Sequence, residues 1–344
     1  MLRSHILGAL VLAGIVLTGG RTGRAATLVN GAGATFPYPI YSKWFDEFHK
    51  LHPDVQINYQ SIGSGGGIRQ VTDGTVDFGA TDGPMTDEQL AATKVPILHL
   101  PTVLGAVVPT FNLAGVDRLR FTPDAVAGIF LGKITHWNDP ALAKANPGAK
   151  LPAEPIVPIH RSDGSGTSYV FTDYLSKVSA DWQKSVGRGT SVNWPVGLGG
   201  KGNEGVAGLV KQTPNAIGYV ELVYAVQNKL PYGDVQNRSG TFVQASLDSV
   251  TAAAAAAAAN MPPDFRVSIT DPAGANAYPI ASFTWLLIPS RIPDKAKGAA
   301  IKSFLEWMLV DGQKFAPALG YAPLPASVIS LEQQTLPKIQ VGGQ

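Results

Sequence analysis

The sequence predicts an α/β chain of two domains on three observations. Beyond residue 30, short apolar runs alternate with stretches of helical spacing. At 344 residues, 45% hydrophobic and 15% charged, the chain is long enough to bury two cores. No internal repeat of solenoid length is present.

The first element in the chain is an export signal. Met1-Leu2-Arg3 is a short positive start, Ile6 to Leu17 is an apolar run too short to span a bilayer comfortably, and Gly23-Arg24-Ala25 places small residues where a signal peptidase reads. Residues 1–25 are therefore expected to be a signal peptide cleaved after Ala25, with Ala26 the next candidate; the alternative is an uncleaved anchor. Cysteine is absent, which removes disulfides, thiolate metal sites and a lipid-bearing amino-terminal Cys. A freely soluble protein of a bacterial periplasm fits these features best.

Next, Ile40, Tyr41, Trp44, Phe45 and Phe48 recur at helical spacing. Candidate strands are Val55–Tyr59, Val76–Ala80, Thr102–Thr110, Ile156–His160, Ala216–Val220 and Phe283–Ile288. Pro123–Phe130 reads as a helix with Thr122 as its cap and proline at its first position. Ser168–Leu175, Gly205–Lys211 and Ala299–Leu309 are further helical candidates. Thr251 followed by eight alanines reads as a helix ending near Asn260-Met261-Pro262-Pro263.

Three helix entrances are built from small hydrogen-bonding residues. Gly31-Ala32-Gly33-Ala34-Thr35-Phe36-Pro37 precedes Ile40–Phe48, Gly63-Ser64-Gly65-Gly66-Gly67 opens onto Ile68-Arg69-Gln70-Val71, and Arg161-Ser162-Asp163-Gly164-Ser165-Gly166-Thr167 runs into Ser168–Leu175. The first N–H groups of a helix lack internal partners, and the peptide dipoles place partial positive charge there. Gly164 and Gly166 allow close backbone approach, Ser165 and Thr167 add hydroxyl donors, and Arg161 adds a cation with a planar fork suited to tetrahedral oxyanions. Any one of these loops is equally well a plain N-capped helix start. Three in one chain suggest a shared small anion, although their convergence is not a local property of sequence. Asp82, in the turn Gly79-Ala80-Thr81-Asp82-Gly83-Pro84, reads alone as a solvated turn residue or cap.

Other chemistries fit poorly. Formal net charge is +2, and Arg3, Arg21 and Arg24 lie in the first 25 residues without an acid, so the remainder carries one net negative charge and no nucleic-acid patch. Gly197-Leu198-Gly199-Gly200-Lys201-Gly202, with Glu221 downstream, matches a dinucleotide fingerprint, but Pro195 interrupts the strand that should precede it. Gly202 after Lys201 rules out a Walker A loop. No His-Glu-x-x-His occurs, His49 and His52 read as a solvated helix end, and Asp163 breaks the Gly-x-Ser-x-Gly frame around Ser165. No catalytic constellation and no metal or cofactor site is expected.

Six segments in order resemble the periplasmic phosphate-binding protein family of ABC-type phosphate uptake systems. They are Gly31–Pro37, Tyr59–Gly67, Val76–Asp82, Leu131–Asn138, Arg161–Ser168 and Trp194–Asn203, and the likeness spans nearly all of the exported chain. The resemblance implies a two-lobed venus-flytrap fold of type II, two α/β lobes joined by two crossovers, with lobe 1 at 26–109 plus 277–344 and lobe 2 at 110–276. Crossings are expected near Pro109–Asn112 and Asn276–Pro279. Carried over by motif, the phosphate contacts fall on Thr35, Phe36, Ser64, Asp82, Arg161, Ser165, Gly166 and Thr167, with Asp163 pairing with the arginine. Thr81, Gly65 and Ser162 depart from the residues common in the family but lie beside the contacts. The Trp194–Asn203 segment is given a structural role.

The implied function is binding of inorganic phosphate, with arsenate as a mimic, and delivery to the membrane subunits of an ABC permease by a monomer that is not an enzyme. The alternatives are a secreted phosphatase or phosphoryl-transfer enzyme using the same cradle, and a binder of sulfate or molybdate. Asp82 separates the last of these, because a carboxylate facing an oxyanion is tolerable only if the ligand brings a proton.

Overall fold

The computed structural model describes residues 26–343, so the expected signal peptide at 1–25 lies outside the described residues. Its centre is an eight-stranded sheet. In spatial order the strands are Val55–Ser61, Thr27–Gly33, Phe78–Thr81, Ala281–Pro289, Ile97–Asn112, Ala216–Glu221, Val157–Arg161 and Leu198–Gly200.

One strand belongs to both halves of this sheet. Ile97–Asn112 pairs antiparallel with Ala281–Pro289 as far as Ala106, and antiparallel with Ala216–Glu221 from Val107 onward. Its exchange of partners falls just before the expected Pro109–Asn112 crossing. The strand is also longer than the expected Thr102–Thr110. Pro101, which cannot donate to a ladder, is accommodated where the register shifts opposite Thr284 and Trp285.

The pairing directions determine where a site can form. Thr27–Gly33 and Phe78–Thr81 run parallel to each other, and Phe78–Thr81 is antiparallel to Ala281–Pro289, so both point along Ile97–Asn112 toward its middle. Val157–Arg161 and Leu198–Gly200 run parallel to Ala216–Glu221, which opposes Ile97–Asn112, so they point at the same midline from the other end. The carboxyl ends of both sets of strands, where α/β proteins hold ligands, thus face one another.

The helices form for the reasons the sequence offers. Tyr38–Leu51 buries Ile40, Tyr41, Trp44, Phe45 and Phe48, and its Phe45 and Phe48 rings lie 5.3 and 5.4 Å from Phe304. Pro123–Phe130 is capped by Thr122, whose hydroxyl accepts from the Ala125 N–H. Gly166–Val178 and Gly202–Gln212 start earlier than their apolar spacing indicates, because their first turns are built mostly of glycine and polar residues. The alanine tract lies within Leu247–Ala259, opened by a capping box between Ser246 and Ser249. On the second half Phe171 and Tyr219 stack at 4.3 Å and Phe130 meets Phe171 edge-on at 4.9 Å. Among the described residues no helix is long and apolar enough to cross a membrane.

Gly67 permits a close packing of helix on sheet backbone. A Cβ there would stand 2.6 Å from the Gly33 Cα and 2.7 Å from the carbonyl oxygens of Ala32 and Ala80, all backbone. Backbone cannot rotate aside, so the helix Ser64–Asp73 must lift from the sheet to admit a methyl group. Gly67→Ala is expected to cost about 2–3 kcal/mol of stability by overpacking, read from the denaturation midpoint. An unchanged midpoint would show that the helix shifts freely.

Candidate anion-binding site

Five loops meet at the midline, each following the carboxyl end of a strand. Thr35 and Phe36 follow Thr27–Gly33, Ser64 follows Val55–Ser61, and Asp82 follows Phe78–Thr81. From the facing half, Asp163 to Thr167 follow Val157–Arg161, and Asn203 follows Leu198–Gly200. All three glycine-rich entrances converge here. The Gly65 N–H donates to the Gly164 carbonyl at 2.9 Å, and a Cβ on Gly166 would strike Ser64 Oγ and Asp82 Oδ2.

Arg161 ends its strand with a side chain only 1% exposed. Nε donates to Asp163 Oδ1 at 2.8 Å and Nη2 to Asp163 Oδ2 at 2.6 Å, a two-pronged pair that holds the guanidinium plane still. Nη1 is buried and has no hydrogen-bond partner. Asp163 also accepts from the Gly202 N–H at 3.0 Å. Partial burial would raise its pKa, but the bonds and charge of Arg161 and the Gly202 N–H outweigh it and hold the carboxyl below the usual carboxylate range.

Asp82 is 1% exposed. Oδ1 accepts from the Thr284 hydroxyl at 2.8 Å, Oδ2 faces Ser64 Oγ at 3.5 Å, and the Asp82 N–H donates to Ser64 Oγ at 3.2 Å. Burial pushes its pKa up to about 7 against the Thr284 hydrogen bond, the Arg161 charge and the Ser64 hydroxyl. It is a core carboxyl, not a solvated turn residue.

The helix starts supply donors. Ser165 caps Gly166–Val178, its oxygen accepting from the Ser168 N–H at 3.0 Å, so its proton remains to be given. Gly166 and Thr167 occupy the first turn, whose N–H groups have no intrahelical acceptors. Thr35 and Phe36 are held through their carbonyls, which accept from the hydroxyls of Tyr224 at 2.5 Å and Tyr321 at 2.6 Å. The lining combines the Arg161 cation, many neutral donors and the Asp82 carboxyl, which suits a small anion that itself carries a proton.

Sequence reading missed several members of this constellation. Asn203 is fully buried and binds both Thr35 and Thr167, although its segment was given only a structural role. It opens a fourth glycine-rich helix entrance, and that position was the available signal. Thr284, Tyr224 and Tyr321 have no local signature, since their partners lie 202, 189 and 285 residues away in the chain. Among the described residues no cluster could hold a metal ion.

The fold defines a two-lobed periplasmic binding protein of α/β type. A PBP superfamily domain matches residues 20–311. The phosphate-binding protein PstS of Xylella fastidiosa is 47% identical over 303 residues, covering 88% of this chain and 82% of that protein. The phosphate-binding protein PstS of Pasteurella multocida is 45% identical over 323 residues, covering 93% of each. The chain belongs to this PstS family of the periplasmic binding proteins. Among solved structures, a phosphate-binding protein from Stenotrophomonas maltophilia shares the fold with a TM-score of 0.69 at 20% identity, covering 90% of this chain and 94% of that one. An ABC-type phosphate transport receptor from Vibrio cholerae does so with a TM-score of 0.56 at 18% identity, covering 86% and 100%.

Proposed function

We propose that this chain binds inorganic phosphate between its two halves and carries it to the membrane subunits of an ABC-type permease for import. The observation that carries this reading is the Arg161 guanidinium, fixed by Asp163 while Nη1 lies buried without an acceptor. A buried, unsatisfied charged donor is costly, and an oxyanion in the cleft removes the cost. Thr35, Phe36, Ser64, Asp82, Arg161, Ser165, Gly166 and Thr167 contact the anion, with Asp163 behind the arginine. Each charge-assisted hydrogen bond contributes about 1.5–3 kcal/mol before ordering and closure offset much of the sum, for a net affinity of about micromolar or tighter.

The role is binding, not catalysis. The donors gathered at the midline suit a small anion, and the Asp82 carboxyl beside them pairs with the Thr284 and Ser64 hydroxyls instead of activating a nucleophile. The protein works as an exported monomer in the periplasm, and arsenate, which carries a proton as phosphate does, substitutes for it. Mass spectrometry of ligand retained by purified protein, followed by calorimetric titration of stripped protein, tests the assignment. Absence of phosphate in both would end it.

Lobe 1 comprises 26–109 plus 277–344 and lobe 2 comprises 110–276. Because two crossovers join them, phosphate is expected to close the cleft by hinge rotation without refolding either lobe. Small-angle scattering should give a smaller radius of gyration at saturation than in stripped protein. Identical profiles would contradict hinge closure.

A further inference from the structure

Asn203 is not among the residues that the family resemblance places on the anion, yet it is fully buried where the two halves meet. Chemistry fixes the orientation of its amide. The side-chain atom 2.9 Å from the Glu221 nitrogen faces an N–H, which only donates, so that atom is the carbonyl oxygen Oδ1. Nδ2 therefore points to Thr35 Oγ1 at 2.7 Å and Thr167 Oγ1 at 3.0 Å. An amide nitrogen carries two hydrogens and accepts none, so both contacts are donations from Asn203. The Asn203 backbone N–H donates to Thr35 Oγ1 as well, at 3.3 Å.

A hydroxyl has two lone pairs and one proton. Thr35 Oγ1 receives two N–H donors, so its own proton must go to a third group. Thr167 Oγ1 likewise cannot donate to the amide it accepts from. Among the described residues no protein acceptor takes either proton. The two threonines come from opposite halves, so one residue orients both hydroxyls, filling both lone pairs of Thr35 and one of Thr167.

We infer that Asn203 is a positioning residue that makes the Thr35 hydroxyl an obligatory donor toward a bound oxyanion and aligns the Thr167 hydroxyl to donate beside it, and thereby favours ligands whose oxygen at Thr35 carries no proton. The inference rests on the phosphate reading of the cleft. With the amide gone, each hydroxyl rotates and is no longer aligned before the anion arrives.

A double-mutant cycle tests it. Phosphate affinity is titrated to millimolar concentrations in stripped parent, Asn203→Leu, Thr35→Val/Thr167→Val and the triple variant. Asn203→Leu is expected to weaken binding roughly 30-fold in the parent but less than about 3-fold without the hydroxyls, because it acts through them. Equal losses in both backgrounds, as a purely structural role predicts, would overturn the inference, as would no loss in the parent. If Asn203→Leu does not fold, Asn203→Ala completes the same cycle. A parent that binds no phosphate would instead overturn the assigned ligand, and the first titration alone reveals that.

Discussion

Arg161→Ala is expected to weaken phosphate binding by at least about 1000-fold, which is about 4 kcal/mol, while the fold persists. The side chain supplies the one full cation among the proposed contacts, and its removal leaves Asp163 close to the anion without its arginine partner. Two effects therefore add. A charge-assisted donor disappears, and a carboxylate formerly neutralised at 2.6 Å repels the ligand. Asp163 is partly solvated, at 13% side-chain exposure, so its loss of partner does not strand a charge in a dry core and thermal stability should fall little. Calorimetric titration checks the affinity and a thermal melt checks the fold. An affinity within tenfold of the parent would remove Arg161 from the site.

Selectivity should depend on Asp82 and on pH together. Ionised Asp82 accepts a proton from phosphate, but sulfate offers none, and two sets of lone pairs then meet in a desolvated cleft at a cost of several kcal/mol. The parent should therefore reject sulfate and accept arsenate at neutral to alkaline pH. Asp82→Asn should narrow the phosphate-over-sulfate ratio by about two orders of magnitude, since a neutral amide donates to either anion. Protonating Asp82 should do the same without mutation. Burial lifts its pKa from 3.8 to about 7, opposed by Thr284, Arg161 and Ser64, so the ratio should fall as pH drops through about 7. The sign for stability follows from the same shift. Between about 4 and 7 the folded chain keeps a proton that the unfolded chain has lost, so ionisation of this group subtracts stability as pH rises across that window. Competition titration with labelled phosphate across pH checks the selectivity, and denaturation midpoints across the same range check the sign for stability. Sulfate displacing phosphate from the parent at comparable concentration at pH 8 would return Asp82 to the rank of a turn residue.

The features legible in the sequence are those carried by near neighbours. The helix Pro123–Phe130 could be bounded to the residue because its cap, its first-turn proline and its apolar spacing lie within one segment. The anion loops were legible for the same reason, since a helix entrance is a local object. Where those loops meet is not local. Gly166 lies against Asp82 only because strands from both ends of the sheet run toward one midline, which no spacing rule expresses. The family resemblance supplied that meeting in advance. It did not supply Asn203, whose neighbours imitate a nucleotide fingerprint and whose partners lie 36 and 168 residues away. The expected central strand began after Pro101, because proline usually marks an end, and here Pro101 sits beside a register shift within the ladder.

The placement of Ala281–Pro289 between Phe78–Thr81 and Ile97–Asn112 governs how this molecule comes into being. A growing chain lacks this inner strand of its first half until four-fifths of it has been made. Until then the inner edges of Phe78–Thr81 and of the early part of Ile97–Asn112 have no partner, and closing them joins segments about 180 to 200 residues apart. Such non-local closure is slow to form. The first half of the sheet can thus be completed only late in synthesis.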